Sequence, residues 1–151
     1  MPPNILFILT DQQRFDTIAA HGCPWMKTPN LDRLAQAGVS FRRAYAPGAT
    51  CVASRAAIFT GQYAHNTGVY SFDPWAHQRT WVHDLRDAGY FCANIGKMHF
   101  IPRNAEGPFH ERVIVENPAD NTAWFETGED DWGKFLNHHG ISRPSYRHRS
   151  D

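Results

Sequence analysis

The sequence predicts an α/β fold, a parallel or mixed sheet with helices on both faces. Three observations predict it. Residues 4–10, Asn-Ile-Leu-Phe-Ile-Leu-Thr, form a continuous and partly β-branched apolar run, the pattern of a strand buried on both faces. From there to residue 101, strand-like and helix-like stretches alternate, as in parallel sheets with right-handed crossovers. Three chemistry-bearing clusters, Asp11-Gln12, Cys51 with Arg55, and Lys97 with His99, follow the ends of such stretches. The pattern puts them at one sheet edge, where open α/β sheets bind ligands.

The first strand, 4–10, delivers Asp11 just past its C-terminal end; a turn former or helix cap is the alternative for that aspartate. Gly22-Cys23-Pro24 is loop. A helix starts at Pro29, with Thr28 as cap, presents Leu31, Leu34 and Ala35 on one face, and stops at Gly38. Residues 39–46 read as a second strand, broken by Pro47-Gly48. A helix beginning at Cys51 buries Val52, Ala56 and Phe59 and ends at Gly61. Residues 62–79 are a loop of polar and aromatic residues. Trp81, Leu85 and Ala88 mark the next helix, closed by Gly89, and residues 90–95 form a short strand ending at Gly96-Lys97-Met98-His99. Lys97 and His99 alternate there on an extended segment, so both point to one side. Residues 4–100 thus form the α/β core. Beyond 101 four prolines punctuate a loop-rich segment on the substrate side, or an insertion, with a short helix over 130–139. Glu129-Asp130-Asp131 reads as a solvated turn.

Composition narrows the function. The 151 residues carry 15 Lys plus Arg and 15 Asp plus Glu, so no basic excess points to nucleic acid. No apolar run reaches membrane-spanning length. Cys23, Cys51 and Cys92 are too few and too odd for a disulfide framework. The opening strand leaves no room for a secretory signal, so a reduced, cytoplasmic protein is expected.

The clusters suit anion chemistry at a metal. The Asp11 carboxylate and the Gln12 amide oxygen are hard ligands for Ca²⁺ or Mg²⁺. Cys51 at a helix N-terminus meets backbone N–H groups and the positive dipole end. Arg55, one turn later, can orient a charged oxygen group. Lys97 offers a point charge to an oxyanion, and His99 can donate a hydrogen bond or transfer a proton. Taken singly, each has a plainer reading: Cys51 as a small buried residue, Arg55 and Lys97 as surface cations, His99 as a core histidine. Cys23 and Cys92 read as structural thiols. Order and spacing together favour function.

Cys51-Val52-Ala53-Ser54-Arg55, followed by Thr60-Gly61, resembles the signature of the type I, formylglycine-dependent sulfatases. Residues 4–12 are similar to that family's opening strand and metal-binding acid. Thr28-Pro29-Asn30-Leu31-Asp32-Arg33-Leu34-Ala35 resembles its first helix, and Gly96-Lys97-Met98-His99 its Gly-Lys-x-His element. The resemblance implies an alkaline-phosphatase-like fold and hydrolysis of a small-molecule or sugar sulfate ester. It further implies that a formylglycine-generating enzyme converts Cys51 to formylglycine, whose hydrated aldehyde attacks sulfur and then expels sulfate. Asp11, Gln12 and the modified Cys51 would hold a divalent cation, Ca²⁺ or alternatively Mg²⁺. Arg55 would steady the modified side chain, Lys97 would bind a sulfate oxygen, and His99 would hydrogen-bond the hydrated aldehyde.

Ala53 stands where that signature has Pro, and Gln12 where many members have Asp. The second set of metal ligands and a further Lys and His have no counterpart in 101–151. The resemblance is therefore to the first part of a catalytic domain, truncated before the site closes. An open sheet, with Trp124 and Trp132 lacking partners, favours association, for instance as a homo-oligomer. A phosphonate or phosphate ester hydrolase of the same superfamily is the neighbouring alternative. A non-catalytic remnant that binds an anion or a partner protein is the alternative of another class. A thiol phosphatase fits poorly, because only three residues separate Cys51 from Arg55.

Overall fold

The structure is a computed structural model, and it describes residues 2–116 and 130–142. The chain divides into two compact units, 1–46 and 47–151. In the first, a 3₁₀ turn at Ala19–His21 precedes helix α1 (Pro29–Ala37). Pro29 opens the helix, as its fixed φ favours. Thr28 occupies the cap position, but its hydroxyl is used elsewhere: it accepts from the Ala19 N–H at 2.9 Å and donates to the Asp32 carboxylate at 2.9 Å. Asp32 also accepts from the Ala20 N–H at 2.8 Å, so this pair ties the turn to the helix.

The two strands expected in this unit, 4–10 and 39–46, are not formed. Leu6, Val39, Phe41 and Tyr45 are exposed, and the apolar face of α1 leaves Leu34 exposed too. A strand with two apolar faces needs paired neighbours and cover on both sides, and the described residues of this unit contain neither. Asp11 therefore follows an extended segment, not a paired strand.

The second unit holds the core. Its elements are α2 (Cys51–Thr60), α3 (Ala64–Thr67), α4 (Trp81–Asp87), β1 (Ala93–Gly96), β2 (Glu111–Ile114) and α5 (Asp131–His138). Thr50 caps α2, its hydroxyl accepting from the Ala53 N–H at 3.3 Å, and Gly61 closes it at φ 68°. As the spacing predicts, Val52, Ala56 and Phe59 are buried; they join Val69, Trp75, Val82, Cys92, Met98 and Phe100 in one cluster. Phe59 stacks on Trp81 at 5.2 Å between ring centres. Thr80 and His83 form a reciprocal capping box at the start of α4. Cys23 and Cys92 are buried free thiols.

β1 and β2 pair in parallel, Ala93 opposite Glu111 and Gly96 opposite Ile114. β2 lies in the segment expected to be loop-rich. Its alternation, with Arg112 and Ile114 half-buried and Glu111 and Val113 exposed, is short and begins with two charged residues, so it is faint in the sequence. β1 ends at Gly96 with φ 108°, and Lys97 and His99 stand in the turn beyond it, not on a continuing strand. At Asp130 the acidic turn is also not solvated. Asp130 is buried and caps α5, one carboxylate oxygen accepting from the Gly133 N–H at 2.8 Å and the other from the Glu116 N–H at 2.7 Å. Asp131 accepts from the Ile114 N–H at 2.7 Å. These two carboxylates take the place of a neighbouring strand's carbonyls along β2. Glu129 and Trp124 lie outside the described residues; Trp132 is partly exposed and stacks on Phe135.

Candidate active site

Four of the six residues singled out from the sequence gather in the second unit. Cys51 is the first residue of α2, where the leading N–H groups of a helix favour a negative charge. Gly48 allows the approach to that helix start. A Cβ at Gly48 would lie 2.7 Å from the Ser54 backbone nitrogen and 2.9 Å from the Ala53 carbonyl carbon. The glycine before the cysteine thus lets the incoming chain pack directly on the helix's first turn.

The Cys51 thiol lies 3.1 Å from His99 Nδ1, within hydrogen-bond reach. Arg55 is buried on the same helix and donates through Nη1 to the Lys97 carbonyl at 2.5 Å. The helix that opens with Cys51 therefore also clamps the segment that carries Lys97 and His99. Lys97 is half-buried, and His99 is 7% exposed.

His99 is held on several sides. Glu116 is 2% exposed, and its Oε1 accepts from the Met98 N–H at 3.0 Å and from the His99 N–H at 2.7 Å. Trp75 Nε1 donates to the His99 carbonyl at 3.2 Å, and the Phe72 ring meets the imidazole edge-on at 5.7 Å. Burial pushes the Glu116 carboxyl above its ordinary range, against the two backbone N–H groups and the charges of Lys97 and Arg55, which pull it down. Sequence reasoning missed Glu116 and Trp75. The one signal for Glu116 is an acid closing the apolar run Val113-Ile114-Val115.

Asp11 and Gln12 lie in the first unit. Gln12 has φ 53° and His99 has φ 60°; among the described residues these are the non-glycine positions with positive φ. Each such residue costs about 1–2 kcal/mol relative to ordinary backbone. Strain of this kind collects at functional sites. Both fall in clusters picked from sequence chemistry. A carboxylate beside an amide oxygen fits a hard divalent cation. Among the described residues no three His, Cys, Asp or Glu side chains form a metal-binding group.

The family of this arrangement is settled by comparison with known proteins. The chain matches the Sulfatase family over residues 3–145. It is 37% identical over 117 residues to an arylsulfatase of Clostridium perfringens, covering 76% of this chain and 24% of that protein. A choline-sulfatase of Rhizobium meliloti is 34% identical over 121 residues, 78% of this chain and 24% of the relative. A solved structure described as a complex with its substrate D-glucosamine-2-N,6-O-disulfate matches with a TM-score of 0.71 at 34% identity, over 77% of this chain and 24% of that one. A phosphonate monoester hydrolase of Agrobacterium radiobacter matches with a TM-score of 0.61 at 28% identity, over 86% and 27%. The chain belongs to the sulfatase family, and its fold is the alkaline-phosphatase-like α/β fold of that family. It spans about a quarter of the length of these relatives.

Proposed function

We propose that the protein carrying this chain hydrolyses sulfuric esters, with Cys51, after conversion to formylglycine by a formylglycine-generating enzyme, as the nucleophilic position. The observation that carries this reading is the 3.1 Å approach of His99 Nδ1 to the Cys51 side chain at a helix N-terminus, in a chain of the sulfatase family. The thiol sulfur stands for one oxygen of the hydrated aldehyde. That group supplies an oxygen nucleophile toward sulfur and a second hydroxyl through which sulfate is released.

The remaining roles fall to five further residues. His99 Nδ1 holds or takes a proton at the atom attached to the Cys51 side chain. The Lys97 ammonium neutralises a sulfate oxygen. Arg55 anchors the Lys97 backbone by its carbonyl, which fixes the point from which the lysine side chain reaches toward sulfate. Asp11 and Gln12 would hold a divalent cation, Ca²⁺ or Mg²⁺, that withdraws charge from the sulfate oxygens. A sugar sulfate is a candidate substrate, supported by the sulfated sugar named for the solved relative and by 38% identity to an N-acetylglucosamine-6-O-sulfatase of Bacteroides thetaiotaomicron.

Mass spectrometry of the Cys51 peptide from the native host tests the modification: formylglycine is expected, and an unmodified thiol would overturn it. The likeness to the phosphonate hydrolase favours a second reading. Paired rates on an aryl sulfate and an aryl phosphonate monoester separate the two, and faster phosphonate cleavage would displace the sulfatase reading.

A further inference from the structure

We infer that Glu116 is a positioning residue for the Cys51–His99 pair: its buried carboxylate holds the turn that aims the His99 imidazole at the Cys51 side chain. The inference rests on the reading of Cys51 and His99 as the reacting pair. Three observations carry it. One carboxylate oxygen of Glu116 takes both the Met98 and the His99 N–H, so it fixes two successive peptides of the turn after β1. The second of these peptides leads into a residue at φ 60°, a conformation that a histidine leaves unless its surroundings hold it. The Glu116 backbone is itself fixed, its N–H donating to the Asp130 carboxylate that caps α5. A connected path therefore runs from the start of α5, through Asp130 and Glu116, to the His99 backbone, and its ring ends 3.1 Å from the Cys51 sulfur.

Burying a carboxylate is costly, and the charges of Lys97 and Arg55 offset that cost only in part. A leucine of similar size would fill the space without the cost, but it would leave two backbone N–H groups without their acceptor. Glutamine keeps an acceptor oxygen at the same reach and carries no charge. Geometry and charge are therefore separable by substitution: Glu116→Gln preserves the turn, and Glu116→Leu releases it.

Protein made without the modifying enzyme keeps Cys51 as the thiol, the form whose hydrogen bond is described above. Long-range ¹H–¹⁵N spectra of its histidine rings read the His99 Nδ1 environment independently of turnover. In Glu116→Leu the Nδ1 resonance is expected to move to the position it has in Cys51→Ala, whereas in Glu116→Gln it stays at the parent position. With the modified enzyme, kcat is expected to fall by about tenfold or more in Glu116→Leu, with KM within about twofold, and to recover to within about threefold of the parent in Glu116→Gln. A folded Glu116→Leu with the parent Nδ1 resonance would overturn the inference. If that variant does not fold, the parent alone decides: exchange of the Met98 and His99 amide protons should be slowed at least about a hundredfold relative to an open turn, and unprotected exchange there would overturn it equally. Loss of aryl sulfate turnover in the parent would reject the hydrolase reading and leave these spectra to judge the positioning role.

Discussion

Separate segments of the chain hold the backbone and the ring of His99. Glu116 takes its N–H, Trp75 its carbonyl, and Cys51 lies against Nδ1. Asparagine is the substitution that divides its structural role from its chemical one. Asn tolerates positive φ better than other non-glycine residues and keeps a polar atom at similar reach, but it does not titrate near neutral pH. His99→Asn is expected to melt within a few degrees of the parent while turnover falls by about 10²–10⁴-fold, the range for loss of a general acid–base group. Calorimetry beside aryl sulfate kinetics checks this, and parent-like kcat in His99→Asn would remove His99 from proton transfer. Lys97→Ala follows a similar logic. Lys97 is half-buried, so the change should leave the melting temperature nearly intact, while kcat falls about 10²–10³-fold through lost charge stabilisation of sulfate. An unchanged kcat with raised KM would show instead that Lys97 binds substrate and transition state equally.

Elements fix where these residues stand. The glycine before α2 matters through its missing Cβ: Gly48→Ala would drive a methyl group into the Ser54 and Ala53 backbone and should destabilise the second unit by about 1–3 kcal/mol, measured by urea unfolding. Asp130→Ala removes both the α5 cap and the acceptor of the Glu116 N–H, at an expected cost of about 1–3 kcal/mol. Asp131 adds a pH dependence. The Ile114 N–H, and after it Lys134, lower its carboxyl pKa below the ordinary value of 3.8. A lowered folded-state value means that the unfolded chain binds more protons, so this contribution is present above the unfolded value and is lost as pH falls through the folded one. Acid unfolding curves of Asp131→Asn should therefore show a shallower loss of stability below about pH 4 than the parent; identical acid slopes would exclude the Ile114 contact as the cause. At this scale the sequence is legible where period and caps are strong. The α2 helix, its buried Val52, Ala56 and Phe59, and the helix after Asp130 follow from spacing alone. β2 and the buried acids do not, because a carboxylate that accepts backbone N–H groups from a distant segment has the same local pattern as one that faces water.

At the scale of the whole chain, the two units differ in what they bury. The second gathers Val52, Phe59, Trp75, Met98 and Phe100 into one cluster. The first leaves the apolar side chains of its two expected strands exposed. The continuous run 4–10 carries the sequence signal of a doubly covered strand, and that signal describes a strand inside a sheet wider than the described residues contain. This is why its apolar character was legible and its exposure was not: periodicity reports the environment a segment is built for, whereas pairing depends on partners elsewhere. Relatives extend to about four times the matched length, which gives the contrast a measurable form. In the isolated 151-residue chain, hydrogen exchange followed by mass spectrometry should show protection concentrated in peptides spanning 51–60, 81–87 and 92–100. Peptides spanning 4–10 and 39–46 should exchange at least about tenfold faster, since local opening free energy follows buried apolar contact and paired backbone. In the protein carrying the remaining length of its relatives, the same two peptides should gain protection as sheet neighbours cover them. Equal protection of 4–10 in the isolated chain would mean that this run pairs without those neighbours.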